Sequence, residues 1–248
     1  MRNFFSAVAV ASGLLLSAPA VLAQDASSGW KQTVFFYGMG AAIDGNTQMG
    51  PLELDVDVSI SELFDSLHFG GMAAYRVEND VWSFTGDVTV MKLGQTESGD
   101  RGLVGGRLRT EQLTVMGTLG RRLTPRLEAL FSLAYFDLSA DLSVRVLELR
   151  RSASRDADWI DPMIGLQYVA PIADKWSLSL RGDIGGFGVG SDFSWHAWAG
   201  ARRQNTESFS WYLGYRALAY DYEEGSGLNL QHYDLVQHGP VAGIAFSF

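Results

Sequence analysis

The feature that most constrains this chain is a period-two rhythm that recurs along its length. Trp82, Phe84, Gly86, Val88 and Val90 alternate with Ser83, Thr85, Asp87 and Thr89, and Leu113, Val115, Gly117 and Leu119 alternate with Gln112, Thr114, Met116 and Thr118. Successive side chains of a strand point to opposite faces, so each run has an apolar face and a small or polar one. The last ten residues repeat the pattern: Ala242, Ile244, Phe246 and Phe248 interleave with Val241, Gly243, Ala245 and Ser247. Such strands suit a wall with lipid on one side and a narrow polar interior on the other. Pro240 has no N–H to give a ladder, which predicts a bulge there or the upper end of the last strand.

The spacing of the runs separates a barrel from a soluble sandwich. Phe69 to Tyr75 joins Trp82 to Val90 through the tight turn Glu78-Asn79-Asp80; further tight turns are expected at Arg122–Pro125, Pro171–Asp174 and Arg202–Glu207. Between them fall longer polar stretches at roughly 44–66, 94–106, 139–158, 186–191 and 223–232. Short turns at one end and long connections at the other are the asymmetry of an outer-membrane barrel. With residues 31–43 and the terminal strand the count reaches ten, with eight as the alternative. The fold class is therefore all-β: a closed, antiparallel, up-and-down transmembrane β-barrel. Trp30, Trp159, Trp176, Phe209 and Trp211 lie near strand ends, where interfacial aromatic girdles are expected. In the first long connection, Ser59 to Leu67 predicts a short amphipathic helix, capped by Ser59 or Ser61, with Ile60, Leu63, Phe64 and Leu67 on one face.

The N-terminus bears on the compartment. Arg2 precedes an apolar run from Phe4 to Leu16 and the small-residue site Val21-Leu22-Ala23. That run is too short to span a bilayer, so residues 1–23 read as a cleavable secretory signal and 24–248 as one barrel domain. Removing the signal leaves 18 basic against 28 acidic residues, a net charge of −10. This balance offers no attraction to nucleic-acid phosphates. The chain contains no cysteine, which excludes disulfides and a lipoprotein anchor. The 47% hydrophobic content is spread in alternation rather than gathered into a helical span.

The blocks W-I-D-P-M-I-G-L-Q-Y (159–168), R-G-D-I-G-G-F-G-V-G-S-D-F-S-W (181–195), G-Y-R-A-L-A-Y-D-Y (214–222) and G-P-V-A-G-I-A-F-S-F (239–248) resemble a family of small Gram-negative outer-membrane β-barrel proteins with little assigned activity. The resemblance spans about residues 30–248 and implies fold and location more than function. It also implies that the terminal strand, with Phe246 and Phe248, is read by the barrel assembly machinery as a transient partner. The remaining expected partners are outer-membrane lipid and lipopolysaccharide.

If the aliphatic and aromatic series face lipid, the opposite faces carry Arg76, Asp87, Asp161, Arg181, Asp183 and Arg216, with Glu128 as a further candidate. Three cations against three anions in a narrow interior predict an ion-pair network, because isolated charges there are costly. Tyr212, Trp198, Phe187 and Met163 are expected to crowd the same space. A balanced, filled lumen predicts a structural or surface-interaction protein. A small transport channel is the alternative, and a rim-site lipid-modifying or proteolytic enzyme the third reading.

Other motifs carry less. Arg181-Gly182-Asp183 lies within a strand, unlike adhesive tripeptides, which sit on loops. Gly185, Gly186, Gly188 and Gly190 lack the strand–turn–helix setting of a phosphate cradle and read as a turn. Ser194 and His196 share a strand face near Asp192, and His232, Asp234 and His238 cluster near the last long connection. Neither group has a protease signature, and no catalytic residue is assigned. The acids at 44, 55, 57, 65, 221, 223 and 224 lack EF-hand spacing, so no metal and no cofactor is expected.

Overall fold

The computed structural model describes residues 29–98, 104–146 and 149–248; the expected signal segment lies outside the described residues. In chain order the elements are β1 (Lys31–Met39), β2 (Ala42–Met49), β3 (Leu52–Val58), α1 (Ile60–Ser66), β4 (Leu67–Glu78), β5 (Trp82–Ser98), β6 (Val104–Arg122), β7 (Leu127–Val146), β8 (Leu149–Ala173), β9 (Trp176–Gly186), β10 (Phe193–Gln204), β11 (Phe209–Glu224) and β12 (Gln231–Ser247). Strands β4 to β12 pair in sequence, each antiparallel to the next. β1 pairs with both β4 and β12 and closes a ring of ten. The ring answers the choice between eight and ten.

Alternation sets the two faces. Phe84, Leu133 and Ile164 point outward with about half their surface exposed (52, 49 and 53%), while Ser83, Ser132 and Met163 beside them are at most 1% exposed. A one-residue slip would swap every such pair, so the register is strongly specified. The eleven residues of β9 are enough to cross a bilayer. The 19, 20 and 25 residues of β6, β7 and β8 are far more than enough, so this side of the wall continues well beyond the apolar belt.

That extension corrects two expected connections. The stretches 94–106 and 139–158 are largely strand, paired through Ser98↔Gly105 and on to Val146↔Leu149. Beyond the lipid the outward face of a hairpin no longer has to be apolar, so backbone pairing continues where the outward hydrophobic series stops. The stretch 44–66 is likewise ordered, as the β2–β3 hairpin followed by α1. Tight turns at Asn79–Val81, Leu123–Arg126, Asp174–Lys175 and Asn205–Ser208 share one end with the start of β1 and the finish of β12, here the turn end. The opposite end is the hairpin end.

Pro240 sits in the middle of β12 rather than at a bulge or an upper end. Met39↔Val241 and Ala42↔His238 hold one unshifted register along β12, and between them Gly40 N–H donates to Pro240 O at 2.9 Å. Proline has no N–H to return, so the ladder lapses there and divides one long strand into β1 and β2. Gly239 is needed beside it, because a Cβ there would lie 1.9 Å from Gly40 O.

Above this point β2 turns back into β3, and α1 packs where the wall divides. Leu63 is 2% exposed and buried with Ala41 and Met91, against which Met39, Ile43, Val58 and Leu93 pack. Ser59 caps the helix: its N–H and hydroxyl donate to Glu62 at 2.9 and 2.7 Å, and the Glu62 N–H donates to Ser59 Oγ at 3.4 Å. This reciprocal capping box draws the Glu62 carboxyl below its ordinary pKa.

Candidate functional site

The interior is built in three tiers. At the hairpin end lies an apolar plug of Met116, Phe136, Leu138, Trp159, Met163, Leu218, Tyr220, Tyr222 and Tyr233, all buried. Trp159 stacks on Phe136 at 4.9 Å and on Tyr222 at 4.1 Å, and Tyr220 packs edge-on to Trp159 at 5.2 Å. Trp159 is thus a core residue and no part of a girdle. Its strand neighbour Ile160 faces lipid, and adjacent strand residues cannot share a face.

The middle tier is charged. Arg181 donates to Asp183 through Nε at 2.7 Å and Nη2 at 3.1 Å, and to Thr118 and Ser132 at 3.2 and 3.1 Å. His196 Nδ1 lies 3.0 Å from the same carboxylate. Arg216 donates to the Tyr37 hydroxyl at 2.8 Å and to Asp87 at 3.4 Å, and Tyr37 donates to Asp87 at 2.5 Å. Toward the turn end, Arg76 bridges Glu128 at 2.8 Å and Glu78 at 3.1 Å, Arg122 joins Glu78 at 3.2 Å, and the Ser83 hydroxyl donates to Glu128. Five of the six residues expected in the interior charge set therefore lie in ion pairs.

Asp161 is placed differently. Its carboxylate accepts the Ser191 N–H at 2.8 Å, the Ser191 hydroxyl at 2.6 Å and the Trp159 indole N–H at 3.3 Å. It forms no ion pair among the described residues. It instead ties the β9–β10 turn inward, with both Asp161 and Ser191 fully buried. Phe187, expected in the lumen, stands in that turn with φ 54° and 53% exposure.

The third tier is a cavity of about 690 Å³ at the turn end. Its walls include Phe35, Trp198 and Tyr212, together with the arginines at 76, 122, 181, 202 and 216 and the acids Glu78, Asp87 and Glu128; the β6–β7 turn from Thr124 to Leu127 reaches its edge. Trp198 lies over two glycines: a Cβ at Gly200 or Gly214 would come within 2.3 or 2.5 Å of its ring. Sequence reasoning missed Arg202 because it falls in the stretch Arg202–Glu207 expected to be a turn, whereas β10 continues to Gln204. The inward parity of Ser194, His196 and Trp198, extended four residues, points to it.

Among the described residues the candidate Ser, His and Asp side chains do not converge on one site. Ser194 Oγ is buried without a hydrogen-bond partner among the described residues, so it does not contact His196. Asp192 and Asp234 are exposed. His232 lies 2.8 Å from Asp221, and His238 lies 2.7 Å from Asp44 and 2.5 Å from the Tyr215 hydroxyl, all on the outer face of the wall. A nucleophile facing inward has no base in reach from imidazoles facing outward. Among the described residues no cluster of three metal-ligating side chains occurs.

No protein-family model and no curated protein matches the chain. Solved structures do. The translocator domain of autotransporter NalP from Neisseria meningitidis matches at 13% identity and TM-score 0.52, over 98% of this chain and 97% of that one. The architecture is that of an outer-membrane β-barrel. Ail, the attachment invasion locus protein of Yersinia pestis, matches at 12% identity and TM-score 0.40, over 89% of this chain and 99% of that one. The Pseudomonas putida toluene transporter TodX matches at 11% identity and TM-score 0.36, covering 95% and 93%. At these identities the likeness is one of fold.

Proposed function

We propose that this chain is an outer-membrane barrel of the non-conducting kind, a structural scaffold that carries its tall β5–β8 wall outside the cell. One observation supports the reading: among the described residues, the aromatic plug around Trp159 sits above the charged tier and fills the interior there with buried rings. A conducting pore needs a continuous polar lumen, and closely packed aromatic rings leave little room and few polar partners for water. The proposed orientation puts the turn end in the periplasm and the long hairpins outside, as in other such barrels. The outer face then contacts lipid and lipopolysaccharide. Phe246 and Phe248, 42 and 53% exposed, stand where assembly machinery would read the terminal strand.

Planar-bilayer recording on the refolded protein tests this. The expected trace shows sporadic, small events without stable steps, and Trp159→Ala should raise the frequency or size of openings by removing the ring that joins Phe136 to Tyr222. Large, stable conductance in the unaltered protein would replace the scaffold with a transport reading.

A further inference from the structure

From the turn-end cavity we infer a binding site for a small organic anion: a carboxylate held by Arg202, with an apolar body against Trp198, Tyr212 and Phe35. This goes beyond the scaffold role, since a barrel plugged at one end can still take a ligand from the other.

Every carboxylate lining the cavity is already engaged: Asp87 by Arg216, Glu128 by Arg76, and Glu78 by Arg76 and Arg122. Arg181 is held by Asp183. Arg202 forms no ion pair among the described residues; its Nε donates to Ser210 Oγ at 2.7 Å and its Nη2 to Ser247 Oγ at 3.4 Å. A guanidinium has five N–H donors in a planar fork, so several remain for a ligand. Within a lipid-surrounded wall, a cation that faces a cavity with no carboxylate in direct contact favours capture of an anion, and a carboxylate can accept two parallel bonds from the fork.

A bare ion would not use the rest of the site. Behind Arg202 the hydroxyls of Ser210, Ser247 and Thr33 are buried, the last two 3.0 Å apart, and they fix the guanidinium in place. Beside it are aromatic surfaces: Tyr212 packs edge-on to Phe35 at 5.8 Å and to Trp198 at 6.1 Å. Gly200 and Gly214 leave room for the indole to lie against the wall, which keeps the volume beyond it open. A space of about 690 Å³ with aromatic rings beside a guanidinium that no carboxylate holds fits a compact aromatic or alicyclic acid.

The test is equilibrium titration of the refolded barrel with 1-naphthoate, followed by tryptophan quenching and by calorimetry against a matched detergent blank. The site predicts saturable one-to-one binding, at least tenfold weaker for the neutral analogue 1-naphthalenemethanol and weaker still for inorganic phosphate. Arg202→Gln should weaken naphthoate at least tenfold, while Arg203→Gln, an exposed position one residue on, should leave it unchanged. The comparison of acid with alcohol needs no variant, so poor folding of Arg202→Gln leaves the site testable. Equal affinity for acid and alcohol, absence of saturable binding, phosphate bound as tightly as naphthoate, or full binding by a folded Arg202→Gln protein would each overturn the site. Conductance belongs to the plug and titration to the cavity, so the two proposals fail separately.

Discussion

Arg181 illustrates how few side chains hold the middle of this barrel. Its guanidinium contacts one carboxylate and two hydroxyls from β6 and β7, and that carboxylate, on Asp183, is 3% exposed. Truncation to alanine would leave Asp183 buried with only His196 beside it. Removing one partner of a buried pair typically costs about 3–5 kcal/mol. Arg181→Ala should therefore lower the denaturant midpoint of the refolded barrel well beyond Arg203→Ala at an exposed position, and equal shifts would show that the pair contributes nothing net. The pairing of Arg181 with Asp183 could be anticipated, because residues two apart on a strand share a face. The partners of Arg76 and Arg216 could not: Glu128 and Tyr37 reach them from the non-adjacent strands β7 and β1, 52 and 179 residues away. Asp161 had the right face in the sequence, but its role as a clasp depends on how the β9–β10 turn folds in, and alternation says nothing about turns.

Among the elements, α1 is the one whose stability depends visibly on pH. Hydrogen bonds from Ser59 hold Glu62 below its usual pKa, so ionised Glu62 stabilises the helix start. The sign follows from that direction. The contribution is fully present above the ordinary glutamate value of about 4.3 and is lost as pH falls through the lowered folded value. Amide exchange over residues 60–66, corrected for its intrinsic pH dependence, should show protection falling on acidification, and Glu62→Gln should remove most of that dependence. An unchanged profile in Glu62→Gln would assign the protection to Leu63 packing alone. This helix was legible because its apolar spacing differs from the surrounding period of two. The upper halves of β5 to β8 were not, since the outward series turns polar there, at Asp137, Ser139 and Asp141 of β7 and at Asp156 and Asp158 of β8, although each pairs across a ladder. A hydrophobic pattern reports the solvent beside a strand and is silent about the strand's hydrogen bonds.

For the whole molecule, the uneven wall gives the proposed orientation a direct test. Ser154 is exposed on the tall β8 edge, and Asn79 lies in a turn at the opposite end. With no cysteine in the chain, Ser154→Cys and Asn79→Cys each present one thiol. An impermeant maleimide should label the first on intact cells and the second only after the outer membrane is breached; the opposite pattern would invert the barrel. Closure of the ring also has a kinetic side. The seam joins Thr33 to Ser247, 214 positions apart, and β12 serves three neighbours, β11, β1 and β2. Contacts so distant in sequence repay their loop entropy only after the intervening strands are in place, which makes high contact order and slow folding a property of this topology. Until β12 docks, β1 presents an unpaired edge, so the closing of this one seam ends the chain's exposure to aggregation.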